Sequence, residues 1–309
     1  MKPNPPDGSL FRRFDPDIAH RTTGEILSHP DYARVRTVYM VRTRAINEIG
    51  RFPGNWSSTA YRSAAIGAIV CLHAGYDPND RATWPTLARF KAAAGAIGLS
   101  SRRQLDDIVA RLVATGYISL DPSDADRRLR LVRPTEKLLA WDLEFLCTYY
   151  DILQMLYPDG GYEIAVRRDP HFYRIHRRGA LKIFPVIGRF IMQNAALLPF
   201  MQMNGGTSIL MALISTTPSG ELAPLREVTL TSLKERFGIS RSHVRNVIAL
   251  AEAQNLVTRI GTGRKWLNLT SRGLDALDQF IADTLASHDL TFRIAMNEMR
   301  RAPSPADRS

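Results

Sequence analysis

Hydrophobic residues recur at helical spacing through most of the chain, and two of the predicted helices are each followed by a pair of short β-like runs. These helices cover residues 101–115 and 240–254. At about 100° per residue, the apolar side chains of each helix fall on one flank, which we expect to pack on a domain core. The predicted core flanks are Leu105, Ile108, Val109 and Leu112 in the first helix and Val244, Val247, Ile248 and Ala251 in the second.

The two helices belong to a longer internal repeat. SRRQLDDIVARLVATGYI at 101–118 aligns with SRSHVRNVIALAEAQNLV at 240–257. HPDYARV at 29–35 recurs approximately as DPHFYRI at 169–175, and the two pairs have almost the same offset. Because two widely separated stretches give nearly one period, the sequence predicts a tandem duplication.

Each copy has the same predicted order of elements. A polar helix, which is 171–191 in the second copy, precedes an apolar helix and two short helices. The first short helix of the second copy is LTSLKERFG at 230–238. Helix, turn, helix and hairpin is the order of a winged helix-turn-helix. We therefore predict a mainly α protein with small β-hairpin wings (α+β), in which long helices join two tandem winged helix-turn-helix domains. The predicted segments are a disordered tail at 1–20, domains at 21–157 and 161–298, and a second disordered tail at 299–309.

The flank opposite the core is polar and small in both helices, which suits a helix that enters a major groove about 12 Å wide. Ser, Asn and Arg side chains can address base edges there. Ser240 is also a good N-cap, so we expect it to satisfy the first amides of its helix and to contact a phosphate. The candidate DNA-binding residues of the helices are Ser101, Arg102, Arg103, Gln104, Ser240, Arg241, Ser242, His243, Arg245 and Asn246.

A basic turn follows each helix. Gly261 and Gly263 permit a tight turn within a wing near 259–266, which displays Arg264 and Lys265. The first wing, near 121–130, has a longer turn, and its basic residues are Arg127, Arg128 and Arg130. A basic hairpin beside a groove-sized helix is expected to hold phosphates or the minor groove. The alternative is a solvated hairpin with ordinary surface charge.

DPSDADRRLRLVRPTEK resembles the wing of the MarR family of winged-helix regulators, in which a turn that contains Asp and Arg is followed by a β strand and a Leu-Thr-x-x-Gly helix start. LNLTSRG carries that start as Leu269, Thr270 and Gly273, whereas the first copy has Pro134 and Leu138 there, and the second lacks the Asp of the turn. The resemblance implies DNA binding, transcriptional control and a small-molecule effector of unknown identity. Members of the family usually carry one such domain and dimerise. This chain, with two, is expected to act as a monomeric pseudo-dimer or as a homodimer.

Composition agrees with an anionic partner and excludes several classes of protein. The formal net charge is +11, and the sequence pI is near 10.0, which favours nucleic acid or an anionic surface. Cys71 and Cys147 lie in apolar runs and are expected to be buried, reduced thiols. Neither a signal peptide nor an uncharged run near the roughly 18 residues of a membrane span is present. We therefore expect a cytoplasmic, nucleoid-associated protein without a membrane partner.

No pattern of catalytic or metal-binding residues stands out, so we predict a non-enzyme without metal or cofactor. The histidines lack zinc-finger or HExxH spacing, and GTG at 261–263 is too short for a nucleotide fingerprint. His171 and His176 lie in an Arg-rich segment and are predicted to be surface groups. A peroxide-sensing role for Cys71 is disfavoured, because no basic residue adjoins it to lower the pKa of its thiol.

These observations favour a sequence-specific transcriptional regulator that binds double-stranded DNA. Two alternatives stay open at this stage. A plasmid or phage replication initiator also uses two winged helices in one chain, and it would bind repeated origin sites. A winged-helix scaffold would bind protein instead of DNA.

Overall fold

The computed structural model of this chain describes residues 13–46, 53–123, 126–213, 215–216, 222–223, 225–226, 238–264 and 266–301. The described residues form a mainly helical protein with small antiparallel sheets. None of its described helices has the length and apolar character needed to cross a membrane.

The first half of the chain builds a helical frame and one hairpin. Its elements are α1 (Thr23–Leu27), α2 (Tyr32–Ile46), α3 (Ala60–Ala74), α4 (Leu87–Gly95), α5 (Arg102–Ala114), β1 (Ile118–Pro122), β2 (Arg130–Pro134) and α6 (Glu136–Leu156).

The second half repeats much of this order and ends in a long helix. Its elements are α7 (Glu163–Val166), α8 (Pro170–Ala180), α9 (Phe184–Gln193), α10 (Leu198–Gln202), α11 (Gly206–Ala212), β3 (Ser215–Thr216), β4 (Leu222–Ala223), β5 (Leu225–Arg226), α12 (Arg241–Ala253), β6 (Val257–Ile260), β7 (Trp266–Leu269) and α13 (Ser271–Arg301).

The same turn follows α5 and α12. Gly116 and Asn255, which occupy equivalent positions of the repeat, both adopt left-handed backbone angles, with φ of 71° and 57°. Glycine enters this region without strain, and Asn does so more readily than other side chains. Each turn ends one helix and directs the chain into a strand, β1 or β6. The sequence alignment thus corresponds to one local geometry in both halves.

The hydrogen bonds at the start of α6 and α13, the helices that close the two halves, also recur. The Thr135 hydroxyl donates to the carbonyls of Gly116 and Tyr117, at 3.0 and 3.1 Å. The Thr270 hydroxyl donates to the carbonyls of Asn255 and Leu256, at 2.8 and 3.1 Å. Each threonine therefore ties the start of a closing helix, α6 or α13, to the turn that precedes β1 or β6.

The strands pair as antiparallel hairpins. In the first hairpin Ile118 lies opposite Pro134 and Pro122 lies opposite Arg130. In the second, β7 pairs with β6 on one side and with β5 on the other, where Leu225 lies opposite Leu267. Thr86 precedes α4 in the first half and forms a single antiparallel bridge with Leu131 of β2. In both halves a third segment therefore pairs with the second strand of the hairpin: Thr86 pairs with β2, and β5 pairs with β7.

Two hydrophobic clusters hold these elements together. The smaller one lies under α3, α4, α5 and the first hairpin, with Phe90, Ile108 and Leu112 among its buried side chains. The larger one joins α12 and the second hairpin to the long helices, so that Tyr39 of α2 and Phe292 of α13 share one core. The two halves are therefore connected through helix packing and not only through the chain.

The structure differs from the sequence prediction in three segments. The predicted helix at 171–191 is broken by a 3-10 turn at Leu181–Ile183, because Pro185 has no backbone N–H to continue the helical ladder. The closing helix continues through Arg301, past the predicted start of the C-terminal tail. Within the predicted N-terminal tail, Phe14 packs against the larger core, and the buried His20 ring accepts a hydrogen bond from the Phe14 amide. The predicted helix at 230–238 lies outside the described residues, apart from Gly238.

Candidate nucleic-acid interface

The buried flanks of α5 and α12 are those that the periodicity predicts. Leu105, Ile108, Val109 and Leu112 are buried in α5, as are Val244, Val247, Ile248 and Ala251 in α12. The strong amphipathic pattern of both helices accounts for this agreement. Each helix is fixed by its apolar flank, and its other flank faces outward.

The outward flank of α12 carries polar side chains without a carboxylate. Ser242, Arg245, Asn246 and Ala249 are all exposed. Arg245 and Asn246 offer hydrogen-bond donors, and Asn246 also offers an acceptor. Arg241 is exposed one turn earlier, at the start of the helix. This flank can therefore present several hydrogen-bonding groups to one surface.

The outward flank of α5 has mixed charge. Arg102 and Arg103 are exposed at its start, and Asp106 and Asp107 are exposed one turn later. Asp106 forms an ion pair with Lys91 of α4, with Oδ1 and Nζ 2.5 Å apart. Within the part of the chain that the structure describes, Arg103 and Asp107 form no ion pair with each other. The α5 flank therefore presents two guanidinium groups beside an unneutralised carboxylate.

Four of the predicted DNA-contact residues form hydrogen bonds at the starts of α5 and α12. Ser101 caps α5, and the Gln104 side chain accepts a hydrogen bond from the Ser101 amide at 2.8 Å, which completes a capping box. Ser240 caps α12 by accepting a hydrogen bond from the His243 amide at 3.1 Å. The His243 ring contacts the Asn204 carbonyl oxygen through Nε2 at 2.7 Å. The structure thus places these residues at the helix starts, where they orient the exposed flanks.

The first wing presents arginines on a defined turn. Arg127, Arg128 and Arg130 are all exposed. The Asp126 carboxylate accepts a hydrogen bond from the Arg128 backbone amide at 3.1 Å, an Asx-type contact that turns the chain. Asp126 also lies 3.5 Å from the Arg81 guanidinium. The turn therefore exposes three arginine side chains, and its Asp126 carboxylate pairs with the guanidinium of Arg81.

The second wing turns on two glycines. Gly261 and Gly263 have φ of 79° and 70°, a region that side-chain-bearing residues rarely adopt. Arg264 ends the short 3-10 turn between β6 and β7, and Lys265 lies outside the described residues. Ile260 and Trp266 face each other across the hairpin and are 38% and 39% exposed. The strands beside the turn therefore present an exposed apolar pair.

Sequence reasoning missed a buried polar cluster between α6, α8 and α13. His171 is exposed, but His176 is 1% exposed, so the prediction that it is a surface group is wrong. Phe172, Ile175 and Gly179 are buried on the same flank of α8. This i, i+3, i+4 and i+7 spacing was the signal for burial, and the arginines of the segment obscured it.

Burial controls the protonation of this cluster. Burial lowers the pKa of His176 well below its usual value, with smaller contributions from Arg177 and His288. Burial, followed by the charge of Arg177, lowers the pKa of His288 to about 3. Both imidazoles are therefore neutral at physiological pH.

Both cysteines are free and buried, as the sequence predicts. Burial raises the pKa of the Cys71 thiol to about 12. Since the thiolate is the form that reacts with oxidants, this environment disfavours peroxide chemistry at Cys71.

Comparison of the chain with known protein families, with curated protein sequences and with solved structures finds no match.

Proposed function

We propose that the chain is a sequence-specific regulator that binds double-stranded DNA through two winged helix-turn-helix domains in tandem. The observation that carries this proposal is the recurrence of one local geometry at equivalent positions of the repeat. In each half a capped helix with a buried apolar flank and an exposed polar flank passes through a left-handed residue into a hairpin with a basic turn. Such a helix is suited to a major groove, and the hairpin is suited to the neighbouring phosphates.

The two helices have different tasks in this proposal. The α12 flank has no carboxylate and offers Arg245 and Asn246, two side chains that make bidentate contacts with bases. The α5 flank carries the exposed Asp107, which repels phosphate. We therefore assign sequence recognition mainly to α12 and positioning mainly to α5 with the first wing.

The charge of the chain supports the same partner. The net charge of +11 attracts a polyanion, and exposed arginines cluster at the turn of the first wing. Each arginine that neutralises a phosphate releases condensed counterions, so DNA affinity depends steeply on salt.

The test is duplex binding by the full chain, measured by fluorescence anisotropy over a range of salt concentrations. We expect the logarithm of affinity to fall linearly with the logarithm of salt, with a slope equivalent to on the order of five or more phosphates. The double variant Arg127→Gln/Arg128→Gln should reduce that slope by about two. Arg34→Gln is the matched control, because Arg34 is an exposed arginine of α2 whose partner is Asp31. Binding that does not change with salt would leave the scaffold as the better function.

A regulator and a replication initiator are separated by where the protein binds. A genome-wide map of bound DNA should show sites at promoters under the present proposal, and repeated sites at an origin under the alternative.

A further inference from the structure

The start of α12 is joined to a turn that lies 39 positions earlier in the chain. The Nε2 atom of His243, in the first turn of α12, is 2.7 Å from the backbone carbonyl oxygen of Asn204. A carbonyl can only accept, so this ring nitrogen carries a proton and donates the hydrogen bond. Asn204 lies in the turn between α10 and α11. The position of this turn therefore bears directly on the position of α12.

The turn around Asn204 has a tightly defined backbone. Gly205 has a φ of 67°, a region that glycine enters without strain. A Cβ at the next residue, Gly206, would lie 2.3 Å from the backbone oxygen of Phe200, so the chain passes too close to α10 there for any side chain. The Gly206 amide also donates to the Met203 carbonyl at 3.0 Å. Asn204 is therefore held in one place by its neighbours.

Two residues of the first half hold this turn. Arg62 of α3 donates through Nη1 to the side-chain oxygen of Asn204 at 3.3 Å. Ser58, which ends the 3-10 turn before α3, accepts a hydrogen bond from the Gly205 amide at 2.9 Å. Arg62 and Asn204 are 142 positions apart, so the contact crosses the boundary between the predicted domains. The second half supplies the turn, and the first half holds it.

The guanidinium of Arg62 is itself held in place. Nη1 has two protons, and it also donates to the backbone oxygen of Trp56 at 3.1 Å. The guanidinium carbon lies 5.1 Å from the centroid of the Trp56 ring and 5.3 Å from that of Tyr61. A cation and an aromatic face attract each other over about 6 Å. These contacts direct Arg62 toward Asn204, so a series of contacts connects α3 to the start of α12.

The start of α5 is held in a different way. In the repeat Gln104 occupies the position of His243, but its side chain accepts a hydrogen bond from the amide of Ser101, the cap of its own helix. The opposite half approaches here through its backbone, because a Cβ at Gly188 of α9 would lie 2.8 Å from the backbone oxygen of Ile97, before α5. Both helices therefore start beside a contact from the other half, and for α12 that contact includes the side chain of Arg62.

We propose that Arg62 is a positioning residue for α12, which it holds at one orientation relative to α5 through Asn204 and His243. The consequence rests on the proposed DNA binding: a chain with one relative orientation of α5 and α12 accepts one spacing between the two DNA segments that these helices contact. Each inserted base pair moves one segment by about 3.4 Å and turns it by about 34–36° around the duplex axis. A fixed pair of helices cannot follow this displacement.

Distances within the free chain test the positioning role without DNA. Ala110→Cys and Ala249→Cys place labelling sites on the exposed flanks of α5 and α12, while the native Cys71 and Cys147 are buried. Double electron–electron resonance between nitroxides at these sites should give one narrow distance distribution. Arg62→Met keeps the aliphatic part of the side chain but cannot donate a hydrogen bond, so it should broaden or shift the distribution.

Substitutions of Asn204 separate this contact from a general loss of stability. Asn204→Asp keeps an acceptor in the same place and gives Arg62 a charged partner, so the distribution should stay narrow. Asn204→Leu removes the acceptor but keeps the backbone carbonyl that His243 contacts, and it should broaden the distribution as Arg62→Met does. Circular dichroism and the unfolding midpoint establish that each variant is folded. If Arg62→Met does not fold, the two Asn204 variants decide.

The unlabelled full chain tests the consequence for DNA. A duplex selected by the wild-type protein is compared, by fluorescence anisotropy, with duplexes that carry one, two or five additional base pairs between the two protected segments. Wild-type affinity should fall about tenfold or more at each insertion, because the base contacts of one helix are lost. Arg62→Met should lose most of this discrimination. Arg34→Met, at an exposed arginine of α2 whose partner is Asp31, is the matched control that should keep it.

Two outcomes would overturn the proposal. A folded Arg62→Met or Asn204→Leu variant with the distance distribution of the wild type would show that Arg62 does not position α12. A broadened distribution with unchanged discrimination between spacings would overturn the consequence for DNA. If the wild type binds no duplex, the proposed function fails together with that consequence, and the distances in the free chain still decide whether Arg62 positions α12.

Discussion

The guanidinium of Arg177 on α8 makes two hydrogen bonds of 2.8 Å to the two carboxylate oxygens of Asp142 on α6, and both side chains are buried. The Tyr173 hydroxyl donates to the same carboxylate at 2.5 Å. Because α6 precedes the predicted boundary at 157–161 and α8 follows it, this pair joins the two halves.

Breaking this pair from one side should destabilise the fold strongly. Arg177→Met leaves the Asp142 carboxylate buried without its cation, and we expect the free energy of unfolding to fall by about 3–5 kcal/mol. The double variant Asp142→Leu/Arg177→Met removes both charges and should recover much of that loss. Urea unfolding followed by circular dichroism measures both variants. A single variant that loses less than about 1 kcal/mol would show that the pair contributes little.

The neutral histidines should make the protein sensitive to acid. In the unfolded chain His288 binds a proton below about pH 6.5, whereas in the fold its pKa is about 3. The contribution of the neutral His288 to the free energy of unfolding should therefore be fully present above pH 6.5. It should decrease as the pH falls toward 3, by on the order of a few kcal/mol.

Urea unfolding at a series of pH values measures this slope. His288→Gln should reduce the slope between pH 6.5 and pH 4 without abolishing it, because the buried His176 also remains neutral in the fold. The exposed His171→Gln on α8 is the matched control that should leave the slope unchanged. A wild-type slope that His288→Gln does not alter would assign the acid sensitivity to other groups.

Local chemistry explains what could be predicted from the sequence. The buried flanks of α5 and α12 follow from a strong 3.6-residue pattern, and the Ser240 cap follows from a polar residue before that pattern begins. The tight second wing follows from Gly261 and Gly263, because only glycine enters their backbone region freely. Each of these features depends on residues that are close in sequence.

The features that could not be predicted depend on contacts between distant residues. His176 is buried because α13 and α6 cover it, and its partner Tyr150 lies 26 positions away. The Thr23 hydroxyl donates a hydrogen bond of 2.7 Å to the Asp283 carboxylate, 260 positions away. This bond helps to hold α1 against the closing helix α13. The contact between Arg62 and Asn204 likewise requires the packing of both halves, which no local pattern specifies.

The glycine of the LNLTSRG segment should be required by close packing. A Cβ at Gly273 would lie 2.2 Å from the backbone oxygen of Leu256, the carbonyl that also accepts from Thr270. Gly273→Ala should therefore push α13 away from β6 and lower the free energy of unfolding by about 1–3 kcal/mol. Gly95→Ala is the control, because a Cβ there has no neighbour within 4 Å. That variant should be neutral or stabilising by up to about 1 kcal/mol, and equal effects at both positions would contradict the packing argument.

The exposed flank of α12 should determine sequence preference. Asn246→Ala should weaken binding to a selected duplex by roughly 1–3 kcal/mol and change binding to random duplex little, if the amide contacts a base. Asp107→Ala, at the equivalent position of α5, should strengthen binding to both duplexes, because it removes a carboxylate from the flank that we propose to face phosphate. Anisotropy titrations at one salt concentration compare the four affinities. Equal losses on both duplexes for Asn246→Ala would make it a positioning residue.

The tandem arrangement should also determine the form of the DNA site. If α5 and α12 enter successive major grooves, they must lie about 34 Å apart along the duplex. Their outward flanks differ at equivalent positions, Arg103 against Ser242 and Asp107 against Asn246, so they cannot prefer the same half-site. One chain should therefore protect an unsymmetrical site of about 15 to 20 base pairs.

A homodimer of the whole chain would instead bring four winged helices together and favour a palindrome. Light scattering of the free and DNA-bound protein, combined with a footprint, separates these arrangements. A dimer on a perfect palindrome would contradict the single-chain pseudo-dimer, while a monomer on an unsymmetrical site would support it.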